Sequence, residues 1–194
     1  MPLTRVPDIL ETLDSPADVR IVLIPGLGPA GPPVLEWGIC RDQWQRLLKT
    51  FGSSSVVCTI DHGVTVDNRF DFIQLIEAGE RLQDRLVEIC GSQSEKRNRP
   101  LLLIAHSLGP HYYLKVRASS HLRYAHVLNL VSGVIFIGGP HGLDNYERLN
   151  KHVLFLISNC ASGALGQSVL AKIGTNFDIL YEIHERFTKA SFRF

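Results

Sequence analysis

The stretch Leu101-Leu102-Leu103-Ile104-Ala105-His106-Ser107-Leu108-Gly109-Pro110 constrains this chain more than any other. An aliphatic run reaches Ala105 and His106, a serine follows, and an amphipathic segment begins at once with Leu108. A buried strand that turns sharply at a serine into a helix raises the hydroxyl at the carboxyl edge of a sheet, which is how a nucleophilic serine is presented. Ala105 and Gly109, two residues to either side, keep side chains small where strand and helix must cross. The Leu108 N–H would stand at the helix N-terminus, where negative charge developing on an attacked oxygen is favoured. The same pattern also fits a serine that simply caps the following helix. Pro110 suits either arrangement: its missing N–H falls in the first turn, where that donor has no intrahelical partner. Gly109 relaxes the clash that a proline imposes on the residue before it.

The rest of the chain supplies a frame for this turn. Val19–Ile24 is rich in β-branched residues and is closed by Pro25-Gly26-Leu27-Gly28-Pro29, so a strand is expected to run into a glycine loop there. Trp44, Leu47, Leu48 and Phe51 recur at helical spacing before Gly52. A second strand is expected over 55–60, ended by Asp61-His62-Gly63, and a long amphipathic helix near 71–90 with Gly91 as its cap. After the strand at 101–105 come a helix at about 108–119 and a short helical segment at 121–130. Gly133-Val134-Ile135-Phe136-Ile137-Gly138 reads as a fourth strand, apolar on successive residues as in a central strand buried on both faces. Helical patches follow at Leu149–Leu156 and Phe177–Phe187, and His184 is expected at the surface or partly buried. Short apolar strands alternating with amphipathic helices predict an α/β fold, a mostly parallel sheet of about four strands flanked by helices. Residues 1–18, with two prolines and no sustained period, read as a lead-in, and 19–194 as one domain.

Bulk properties exclude several function classes. With 194 residues, 45% of them hydrophobic and 20% charged, the chain is long enough for one real core. A net charge of +1 offers no electrostatic footprint for nucleic acid, and Lys96-Arg97-Asn98-Arg99 reads as a solvated loop. The four cysteines are widely spaced, which argues against a disulfide framework or a zinc site, and Cys58 reads as a buried thiol. No run approaches the roughly 20 apolar residues needed to span a bilayer, and the first residues lack the apolar core of a signal peptide. The expectation is a reduced, intracellular, soluble protein, cytoplasmic by default, with no cofactor. Gly26-Leu27-Gly28-Pro29-Ala30-Gly31 looks superficially like a dinucleotide loop, but Pro29, Pro32 and Pro33 oppose the helix that a pyrophosphate needs there.

The three glycine- and serine-containing features, in this order over roughly residues 19–145, resemble the serine-esterase and lipase-like branch of the α/β-hydrolase superfamily. The likeness is to serine esterase domains common in fungal proteins and related to a mitochondrial phospholipid-remodelling protein, which leaves a mitochondrial association open. Pro25-Gly26-Leu27-Gly28 stands where that group has a His-Gly-Leu loop, and Ala105 to Pro110 where it has a Gly-His-Ser-Leu-Gly-Gly elbow. Gly133 to His141 stands where it has Gly-Val-Ile-Phe-Leu-Gly-Thr-Pro-His. Pro25 replaces the loop histidine, and Gly142-Leu143-Asp144 replaces a basic residue and a serine.

The resemblance implies a carboxylic-ester hydrolase, acting on an ester or lipid, with Ser107 as nucleophile and oxyanion donors at Gly26, Leu27 and Leu108. It also implies an incomplete α/β-hydrolase fold: the sheet supplies what the superfamily counts as strands three to six. The later strands that carry the acid and the histidine have no counterpart before Phe194. Of the eight histidines, His141 is the best replacement base, because it follows a strand whose carboxyl end should neighbour Ser107. Asp61 and Asp144 follow strands and are the candidate orienters, with Asp144 paired to His141. A serine hydroxyl lacking base and orienter is a poor nucleophile at neutral pH. The alternative is therefore a non-catalytic hydrolase-like remnant, or a module that binds a protein partner at the open edge of the sheet.

Overall fold

The computed structural model describes residues 19–29, 55–60, 64–67, 70–90, 99–109, 122–139, 145–161, 165–175, 177–179, 181–182 and 184–185. The expected lead-in at 1–18, the Trp44–Phe51 helix and the helix after Gly109 lie outside them. Four strands form one sheet: β1 (Val19–Ile24), β3 (Ser55–Thr59), β5 (Leu101–His106) and β6 (Val131–Ile137). They lie side by side in the order β3-β1-β5-β6, and every neighbouring pair is parallel. Two further strands of two residues each, β2 (Gly28–Pro29) and β4 (Thr65–Val66), pair with each other. The described helices are α1 (Phe72–Cys90), α2 (Leu122–Leu130), α3 (Tyr146–Cys160) and α4 (Gln167–Thr175).

The register follows from period-two side-chain alternation. Val22 and Ile24 share a face with Leu103 and Ala105, and this face joins the main core with Ala78, Leu82, Leu86 and Ile89 of α1. Those four recur at helical spacing, so α1 turns one stripe to the sheet and leaves Glu77, Glu80, Arg81 and Asp84 exposed. Ile21, Leu23 and Ile104 occupy the opposite face and are also buried. Strands β1 and β5 are thus the doubly buried centre that their aliphatic runs predict. Arg20, at the start of β1, is buried as well, and its guanidinium donates to the Ile89 carbonyl at 3.0 Å. It thereby satisfies one of the carbonyls that the end of α1 leaves without a helical partner.

Strand β6 corrects one expectation. It is not a central strand: among the described residues it pairs with β5 alone, and its burial alternates. Val134 and Phe136 pack on the main core, whereas Ile135 and Ile137 are 46% and 37% exposed. A bulge at its start, where Leu101 faces Val131 but Leu102 faces Gly133, inserts Ser132 and sets this phase. The apolar run is real, but among the described residues β6 has no second neighbour, and Ile135 and Ile137 on one of its faces are exposed.

At the other end of the described chain, Asn145 caps α3 by accepting from the N–H groups of Glu147 and Arg148 at 2.8 and 3.2 Å. Leu149, Val153 and Ile157 of α3 are buried in one cluster with Val169 and Ile173 of α4 and with Phe177. The ring of Tyr146 meets Phe177 and Tyr181 edge-on, with centroids 4.9 and 5.1 Å apart. His184 continues that helical face beyond Phe177 and Tyr181, and it is buried rather than superficial. The expectation of a surface or partly buried position falls short because the pattern of its own segment carries no signal of what packs against it. Helix α4 and the β2–β4 pair were not anticipated.

Candidate functional site

In a parallel sheet the crevice lies beyond the carboxyl ends of two adjacent strands whose connections leave in opposite directions. The chain moves from β1 outward to β3, then returns past β1 to β5 and on to β6. The reversal falls between β1 and β5, so the crevice lies at the ends of those strands. Pro25-Gly26-Leu27 leave β1 there, and Ser107-Leu108-Gly109 leave β5. Both oxyanion candidates on the β1 side and the serine on the β5 side therefore converge at one point of the fold.

The backbone of Ser107 is left-handed, with φ of +53°, and among the described residues no other non-glycine residue has positive φ. That conformation costs an L-residue roughly 1–2 kcal/mol. It also separates Ser107 from an ordinary helix cap, which takes an extended backbone: Asn145, the cap of α3, has φ −119° and ψ 122°. The Ser107 N–H donates to the Ile137 carbonyl at 2.9 Å, so the β5–β6 ladder extends one residue into the turn.

Two glycines lock the turn against the end of β1. A Cβ on Gly26 would stand 2.5 Å from Ser107 Cβ and 3.1 Å from Ser107 Oγ. A Cβ on Gly109 would stand 2.6 Å from the Ile24 carbonyl oxygen and 2.9 Å from that of Pro25. Each chain segment therefore needs the other's missing side chain. The small residue expected two positions after the serine is required by contact with backbone, and Ala105, two before it, is fully buried. Ser107 itself is 6% exposed, and Leu27 and Leu108 are buried as well. Val66 of β4 is fully buried and pairs with Pro29, which ties down the loop immediately after Leu27. Gly28–Pro29 is extended, so no helix starts at these two residues.

The structure brings together Ser107, Gly26, Leu27 and Leu108, four of the six residues singled out as a site. His141 and Asp144, the candidate base and orienter, lie outside the described residues, as do Asp61, His62 and His111. Among the described residues, Ser107 makes its one hydrogen bond through its backbone N–H, and no imidazole or carboxylate is bonded to its hydroxyl. His106, the last residue of β5, is half-buried, and that burial lowers its pKa, favouring the neutral ring. His126 is exposed on α2 and His152 lies on α3.

Among the described residues no group of three or more His, Cys, Asp or Glu side chains is arranged to hold a metal. No described helix is long and apolar enough to cross a membrane. Sequence reasoning missed the Ile137 carbonyl and the left-handed Gly138 after it, with φ of +60°. Only the glycine at the strand end signalled that turn.

No protein-family model matches the chain, and neither the curated proteins nor the solved structures provide a match.

Proposed function

We propose that the chain is an α/β-hydrolase-like module with Ser107 at the nucleophile position, and that it binds rather than turns over its ligand. The observation that carries the hydrolase-like part is the left-handed backbone of Ser107, wedged against Gly26 at the strand-order reversal. Strain of this kind at a crevice is a pointer to function rather than to folding. Binding has two places to occur. The crevice accepts a small ester or acyl group beside the hydroxyl, and the edge of β6 offers Ile135 and Ile137 to a protein partner. The hydroxyl, without a bonded base among the described residues, is a weak nucleophile as it stands. A reducing intracellular compartment, the cytoplasm most simply, suits the free buried thiols of Cys58 and Cys90.

The second reading is a serine carboxylic-ester hydrolase, favoured by the same strained turn. In it Ser107 attacks the acyl carbon, Gly26, Leu27 and Leu108 donate N–H groups to the oxyanion, and His141 takes the proton while Asp144 orients it. A fluorophosphonate probe separates the two. Wild type, Ser107→Ala and His141→Ala are treated in the folded state, and adducts are mapped by peptide mass spectrometry. The binding reading expects no adduct on Ser107. A Ser107 adduct, with short-ester turnover that both substitutions abolish, would overturn it and establish the hydrolase.

A further inference from the structure

We draw no further inference here: the strongest candidate, the edge strand β6 with its exposed Ile135 and Ile137, carries nothing beyond the partner-binding reading because nothing in the structure shows what covers it.

Discussion

Replacing Gly109 with alanine tests the interlock between β1 and the turn after β5. On local grounds the change should help, since alanine is better than glycine in a helix by up to about 1 kcal/mol, and Gly109 is the first helical residue after the turn. The structure predicts the opposite sign. The new Cβ would lie 2.6 Å from the Ile24 oxygen, whereas real Cβ atoms keep at least 3.0 Å, so the two segments must separate by 0.4 Å or more. Both contacts, Ile24 O and Pro25 O, are backbone, so no side chain can swing aside. Overpacking of this kind costs about 1–3 kcal/mol, and subtracting the full propensity gain of about 1 kcal/mol leaves a net loss of about 0–2 kcal/mol. Urea unfolding with linear extrapolation measures it directly, and the melting temperature should fall by up to roughly 8 °C. Gly174→Ala is the matched control: Gly174 lies in α4 with open space around its Cβ. That variant should gain up to about 1 kcal/mol. If Gly109→Ala gains stability as Gly174→Ala does, the two segments do not pack as described and the crevice between them loses its basis.

Three other outcomes follow from the same geometry. Ser107→Gly should be more stable than Ser107→Ala by about 0.5–1 kcal/mol, because glycine relieves the left-handed strain while loosening the unfolded chain; equal midpoints in urea would count against the strain. Burial pushes the Cys90 thiol up to about 11, with the charge of Arg20 opposing, so iodoacetamide at pH 8 should modify Cys90 only after denaturant is added, and labelling of the native protein would contradict its burial. His106 has its pKa lowered by burial, so the unfolded chain binds the proton more readily. Its contribution is whole above the ordinary value near 6.5 and is lost as pH falls below it; His106→Gln should therefore flatten the decline of stability below that pH, and an unchanged slope in unfolding titrations would refute it.

What the sequence makes legible is whatever local pattern decides. Strands β1 and β5 are readable because aliphatic runs bounded by proline and glycine have few other uses, and both are buried on both faces. Helix α1 is readable because its buried stripe repeats over 19 residues. The burial of β6 is not legible, because the exposure of Ile135 depends on what lies beyond the strand, not on its own residues. Helix α4 escapes because Gly166, Ser168 and Gly174 resemble loop, and only the assembled core gives Val169 and Ile173 a place to bury. His184 fails for the same reason, since its burial is set by tertiary packing rather than by its own segment. At the site, the residue types Gly26, Ser107 and Gly109 can be read directly. The Ile137 carbonyl that holds the serine N–H cannot, because a backbone contact leaves no mark on side-chain identity.

The cost at Ser107 bears on what the residue is for. A left-handed serine gives up roughly 1–2 kcal/mol from a net stability on the order of 5–15 kcal/mol, and glycine or asparagine would take that backbone more cheaply. Packing does not repay the loss: the side chain is small, and its hydroxyl makes no hydrogen bond among the described residues. Nor does capping, since Asn145, which caps α3, shows the extended backbone that capping uses. What holds the turn is its surroundings, with the Ile137 carbonyl on one side and the two glycine contacts to β1 on the other. A costly conformation maintained by contacts from two neighbouring segments, and aimed at the point where strand order reverses, is hard to account for by folding alone. It supports a role for the hydroxyl in recognising a ligand, whether or not a base stands behind it.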